Sequence, residues 1–191
     1  MTAQIPDSFL HEDKKISIVG VHGGSLFNPL DYDLQPLPRI TSCWRGYVCM
    51  YMNFHNKLVL DTLQVNLGNE GPVIHRIRPV FSNTGMFDNT YNDMNLPIDY
   101  TGELLVAEGF IRDLYVHMGF HPAWKHETVF KLTVSHGSVL DTKDVSQEMA
   151  VLRNKMKSQP LQPGREASQE EVEKWIASTF RQDHGIFDEN K

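Results

Sequence analysis

Cysteine is scarce in this chain, with two among 191 residues. That is too few for a disulfide framework, and Cys43 and Cys49, on one extended strand, would stand about 20 Å apart, beyond disulfide reach. They read as reduced core thiols. Long apolar runs are also missing: no stretch approaches the ~18 residues of a membrane-spanning helix. The opening MTAQIPDSFLHEDKK has neither the basic lead nor the apolar run of a secretory signal, so the expectation is a cytoplasmic protein with no membrane partner. Positive charge is in deficit, with 18 Lys and Arg against 24 Asp and Glu and a net charge of −6. Nonspecific binding to nucleic acid or anionic membranes needs the opposite balance. Several catalytic signatures are absent too: the phosphate-binding P-loop, GxGxxG, HExxH and CxxC. No cofactor is called for. His22-Gly23-Gly24-Ser25 is reminiscent of a glycine-rich oxyanion loop, but without a Gly-x-Ser-x-Gly elbow it reads as the turn after a strand.

What remains is a chain of ordinary globular composition, 40% hydrophobic and 22% charged, long enough for one domain or one domain plus a tail. Charge density divides it. Residues 141–191 hold 8 of the 18 basic and 10 of the 24 acidic residues, so residues 1–140 are expected to form a β-rich core and 141–191 a helical C-terminal extension.

Strand patterns dominate the first part. Ile16 and Ile18 alternate with polar neighbours before Gly20. Arg45–Met52 and Lys57–Val65, joined by Asn53-Phe54-His55-Asn56, form a hairpin. On its first strand Arg45, Tyr47, Cys49 and Tyr51 share one face and Val48, Met50 and Met52 the other, which is the expected core face. Further strands are expected at Val73–Arg78, Tyr100–Ala107, near Leu114–Met118, at Glu127–Val134 and at Val139-Leu140, with an exposed loop at Ser82–Asn95. In the tail, Val145, Met149, Leu152 and Met156 form one apolar stripe behind an Asp144 cap. After a linker from Ser158 to Gly164, Ser168 to Glu171 is a capping box that opens a helix burying Val172, Trp175, Ile176 and Phe180. Such stripes either cover the β core or pair two copies of the chain through the C-terminal helices. The fold class expected is mainly β (α+β): an antiparallel sheet forming a sandwich or partial barrel, with two C-terminal helices.

At Cys43-Trp44-Arg45-Gly46-Tyr47-Val48, Tyr100–Leu105 and Tyr115-Val116-His117-Met118-Gly119, the chain resembles a group of small uncharacterised bacterial proteins that carry WRGY and YVHMG motifs. The likeness spans roughly residues 14–140 and implies a β-rich fold; it brings no reaction, cofactor or ligand. The chain departs from the group after YVHMG, where it reads His121-Pro122-Ala123-Trp124-Lys125-His126-Glu127.

Candidate chemistry falls into three sets. His117, His121 and His126 could ligate a metal, since neutral imidazole suits zinc; the competing reading is hydrogen-bonded or surface histidines. Arg45 beside Tyr47, with Arg76 and Arg78 sharing a strand face, could hold a carboxylate or phosphate. Against that stands pairing of these arginines with Asp61, Glu103 or Asp113 across the sheet. Glu103 with His117 could act as general acid and base. Two functions follow from these sets. The first is a binding or interaction module for a protein partner or a small anionic ligand, using Arg45, Tyr47, Arg76, Arg78 and His117. The second is a hydrolase-like or lyase-like enzyme on a small anionic substrate, which requires Arg45 and His117 to converge in one cleft.

Overall fold

The computed structural model describes residues 2–156 and 160–181. Its strands are β1 (Ser8–His11), β2 (Lys14–His22), β3 (Tyr47–Phe54), β4 (Lys57–Val65), β5 (Val80–Phe81), β6 (Asn89–Tyr91), β7 (Leu96–Pro97), β8 (Gly102–Phe110), β9 (His126–Ser135) and β10 (Ser138–Asp144). Two helices follow, α1 (Ser146–Met156) and α2 (Gln169–Thr179). The fold is mainly β, as expected. The strands lie in the order β10-β9-β8-β2-β1-β3-β4-β6-β5, with β7 on β4. The sheet then curls until its first strand meets β4: Ser138 sits opposite Lys57, and Leu58 N–H donates to the Gly137 carbonyl at 2.8 Å. A partial barrel results. One pairing departs from the antiparallel expectation, because β1 runs parallel to β3 with Ser8 opposite Met50.

Tight turns set the registers. His55 and Asn56 hold φ of +49° and +62° between β3 and β4, and Glu12 and Asp13 hold +46° and +63° between β1 and β2. Two consecutive positive φ values match the right-handed strand twist, which is why two-residue hairpins adopt them. Gly20 does not end its strand. The register with β8 shifts between Ile18 and Gly20, and Gly20 pairs with Leu105, where an added Cβ would come within 2.9 Å of Leu105 Cδ1.

The barrel interior is filled by Phe9, Ile18, Cys49, Tyr51, Leu60, Leu63, Leu104, Val106 and Leu132, among others. The inward face of β3 is therefore the one carrying Cys49 and Tyr51, both 2% exposed or less, whereas of the expected face Met50 and Met52 are only half-buried and Val48 is buried outside the barrel core, in a small cluster with Cys43 and Phe87. This reverses the core face expected from the sequence. An apolar run on both faces leaves the choice to closure of the barrel, which no local pattern encodes.

Outside the barrel, Val19, Leu105, Ala107 and Val129 form a second cluster with Trp124 and with Val145 and Met149 of the C-terminal extension. The α1 stripe thus covers the chain's own sheet. The domain boundary expected at residue 140 falls inside β10, and α1 shares a core with β8 and β9. The capping box of α2 is present in full, but its stripe is half-buried and none of its residues is buried. Of the expected linker, Ser158 and Gln159 lie outside the described residues.

Three further expectations are corrected. Ile74 to Ile77 is a tight turn with His75 and Arg76 at positive φ, not a strand. Leu114 to Met118 begins in a single 3-10 turn and continues irregularly. The segment 82–95 contains β6, and Phe87, Tyr91 and Met94 fold back into the core while Met86 stays exposed. Asp88 and Asn89, also buried, satisfy the neighbouring loop: Asp88 accepts from Leu67 N–H and Gly68 N–H at 2.8 Å each and pairs with Arg39.

Candidate ligand site at the barrel mouth

The site begins with Gly46. At φ +74° and with its Cα against the Leu37 backbone, it makes a reversal that a side chain would obstruct, since an added Cβ would meet Leu37 O at 2.7 Å. The reversal carries the chain from the Cys43 turn into β3 and turns Arg45 into the open end of the barrel. There Arg45 meets Asp7. The parallel β1–β3 register sets Asp7, the residue before β1, beside Cys49. The guanidinium donates from Nη1 to Oδ2 at 2.9 Å and from Nη2 to Oδ1 at 2.5 Å, while Cys49 N–H donates to Oδ1 at 2.6 Å. This is a two-pronged ion pair, with side chains 24% and 9% exposed, and such forks fix orientation as well as charge. The Arg45 Nε has no hydrogen-bond partner among the described residues.

Tyr47 lies under the same guanidinium, 4.8 Å from ring centroid to Cζ, and Phe27 meets Tyr47 edge-on at 6.4 Å. Burial opposes the Arg45 charge, yet Asp7 outweighs it, so the guanidinium is held more firmly protonated than usual. Burial pushes the Tyr47 phenol up to about 12 and raises the Tyr51 phenol and the Cys49 thiol well above their ordinary ranges. The nucleophilic forms of these groups are suppressed at neutral pH. What the site offers is a fixed cation and flat rings.

These groups face a cavity of about 410 Å³ lined by Asp7, Ser25, Phe27, Arg45, Tyr47 and Tyr51, with Arg181 at its edge. Its size lies within the range of small-molecule sites, roughly 300–1,000 Å³.

Of the residues singled out in the sequence, Arg45 and Tyr47 come together here; the others do not. His117 is exposed, its Nδ1 2.9 Å from the Tyr115 hydroxyl, and it does not line this cavity. Glu103 shares the outward face of β8 with Leu105 and is tied to Lys131 at 2.7 Å. Arg76 stands on an exposed turn and Arg78 pairs loosely with Glu70 at 3.7 Å. The segment that would align them on one strand face is a turn. The partner of Arg45 is Asp7 instead of Asp61, Glu103 or Asp113.

The three histidines of the expected metal set are not gathered either. His121 and His126 both pack on Phe110, at 4.7 and 5.3 Å between ring centroids, and Tyr115 stands between His121 and His117, at 5.2 and 6.1 Å from their rings. No group of three His, Cys, Asp or Glu side chains suited to a metal ion occurs among the described residues. Burial, with Lys125 nearby, pulls both His121 and His126 down to about 4.

The sequence alone does not single out Asp7. Its only signal is an acidic residue between Pro6 and a short apolar run, Phe9-Leu10, too brief to mark a strand. Among the described residues, no helix is long and apolar enough to cross a membrane. Comparisons with family models, curated proteins and solved structures return no match for the chain.

Proposed function

We propose that this protein is a binding module whose barrel mouth takes a small ligand carrying an anionic group on or near a flat ring. One observation carries the reading: the Asp7–Arg45 fork and the Tyr47 ring converge on one concave site. A guanidinium held by a carboxylate and stacked on an aromatic is pre-ordered, so a ligand meets it at little cost in side-chain entropy. The Arg45 guanidinium lines the cavity and its Nε has no hydrogen-bond partner among the described residues, a donor suited to an anionic oxygen. Phe27 and Tyr47 supply apolar walls for a ring. The hydrolase-like or lyase-like alternative needed His117 and Arg45 in one cleft, and no observation favours it. Self-association through the helices would have to use α2, since the stripe of α1 is spent on its own sheet.

Calorimetric titration with benzoate and phenyl phosphate tests the proposal. Both probes are expected to bind, and Tyr47→Leu, which keeps the apolar bulk, is expected to weaken them about tenfold through loss of ring stacking. Absence of heat with both probes, or equal affinity in the variant, would overturn it.

A further inference from the structure

A second cavity, sharing no lining residue with the barrel mouth, combines apolar walls with an unanswered charge. It measures about 390 Å³ and lies where α1, α2 and residues 116–125 meet, walled by Met118, Phe120, Trp124, Leu152, Met156 and Trp175. Lys125 also lines it and is only 5% exposed. Among the described residues its ammonium has no carboxylate partner, and it lies over the Trp124 ring, 5.3 Å from centroid to Nζ. Among the described residues the titratable groups coupled to it are His121 and His126, and Arg153 donates to the carbonyls of Trp124 and His126. None is acidic. A buried cation without an anion is costly, and sequences keep one mainly where something else answers the charge.

We infer that this cavity binds an amphipathic carboxylate, its hydrocarbon body against the aromatic and methionine walls and its carboxylate on the Lys125 ammonium. Methionine and aromatic side chains adapt to an unbranched chain, and a charge-assisted hydrogen bond in a desolvated site is strong. Burial pulls the Lys125 amine down to about 8, so the amine is still charged at neutral pH, and a bound anion holds it so.

Tryptophan fluorescence reads the site directly, since Trp124 and Trp175 line it. Titration of the full chain with decanoate and with decanol is expected to give saturable binding of both, with decanoate at least about tenfold tighter, as one charged hydrogen bond implies. Lys125→Met is expected to lose that advantage and keep decanol binding. If the variant fails to fold, the native chain supplies the same test: decanoate affinity falls about tenfold as pH rises from about 7 to about 10, with decanol unchanged. No saturable change, equal affinity for the acid and the alcohol, or a pH-independent advantage would each overturn the inference.

Discussion

Asp7 and Arg45 lie 38 positions apart, and each is the other's reason for being where it is. Replacing Asp7 with Asn removes the negative charge and leaves a largely buried guanidinium. With side chains 24% and 9% exposed, the pair stands between surface pairs, worth under ~1 kcal/mol, and buried ones, which cost about 3–5 kcal/mol to break. Loss of about 2 kcal/mol in urea unfolding is expected, and no change would deny the pair its structural role. His126 gives a pH signature. Its pKa near 4 in the fold, against 6.5 ordinarily, keeps it neutral while the unfolded chain takes up a proton below 6.5. The unfolded state then binds more protons, so stability is full above about 6.5 and falls towards pH 4 by up to ~1.4 kcal/mol per pH unit. His121 is lowered equally, so His126→Phe should roughly halve the slope of that acid limb in urea melts between about pH 7.5 and pH 4.5, and an unchanged slope would contradict the assignment. Arg45 and Tyr47 were legible as a cation beside a ring. Asp7 was not, because only the pairing of two distant strands brings it to them.

The elements differ in how firmly they are held. Met149 on α1 is 1% exposed against Trp124, Leu105 and Val129, so Met149→Ala should cost about 2–4 kcal/mol in global stability by emptying that volume. By contrast, α2 has no buried residue and is fixed by its capping box, by Phe120 N–H donating to the Thr179 carbonyl at 2.7 Å, and by Phe180 stacked on Trp44 at 5.4 Å. Ser168→Ala removes about 1 kcal/mol of capping. Hydrogen exchange should then quicken about fivefold within α2 while the barrel amides keep their rates; a uniform increase would mean that α2 unfolds only with the whole. The β3–β4 hairpin, the α1 stripe and the α2 cap were readable because each is a local pattern. Strand β1 was hidden by its brevity and by Glu12, an uncommon residue at a turn position of positive φ. The segment 73–78 misled because Ile74 and Ile77 are buried through a turn instead of along a strand.

At the scale of the whole molecule, one topological fact orders the rest. Closure of the sheet between β10 and β4 turns the Cys49 and Tyr51 face inward, so the arginine and tyrosine ahead of it open onto a cavity and not a flat surface. That closure could not be read from the chain, since alternation identifies two faces without saying which one a curled sheet encloses. It also makes the barrel mouth a place where charge, rings and volume coincide, and His117 does not line that cavity. Backbone amide NMR during titration with phenyl phosphate tests this most directly. The account predicts shifts that saturate together and concentrate at Ser25–Phe27, Arg45–Tyr47 and Asp7; shifts centred on residues 115–117, or none that saturate, would contradict it.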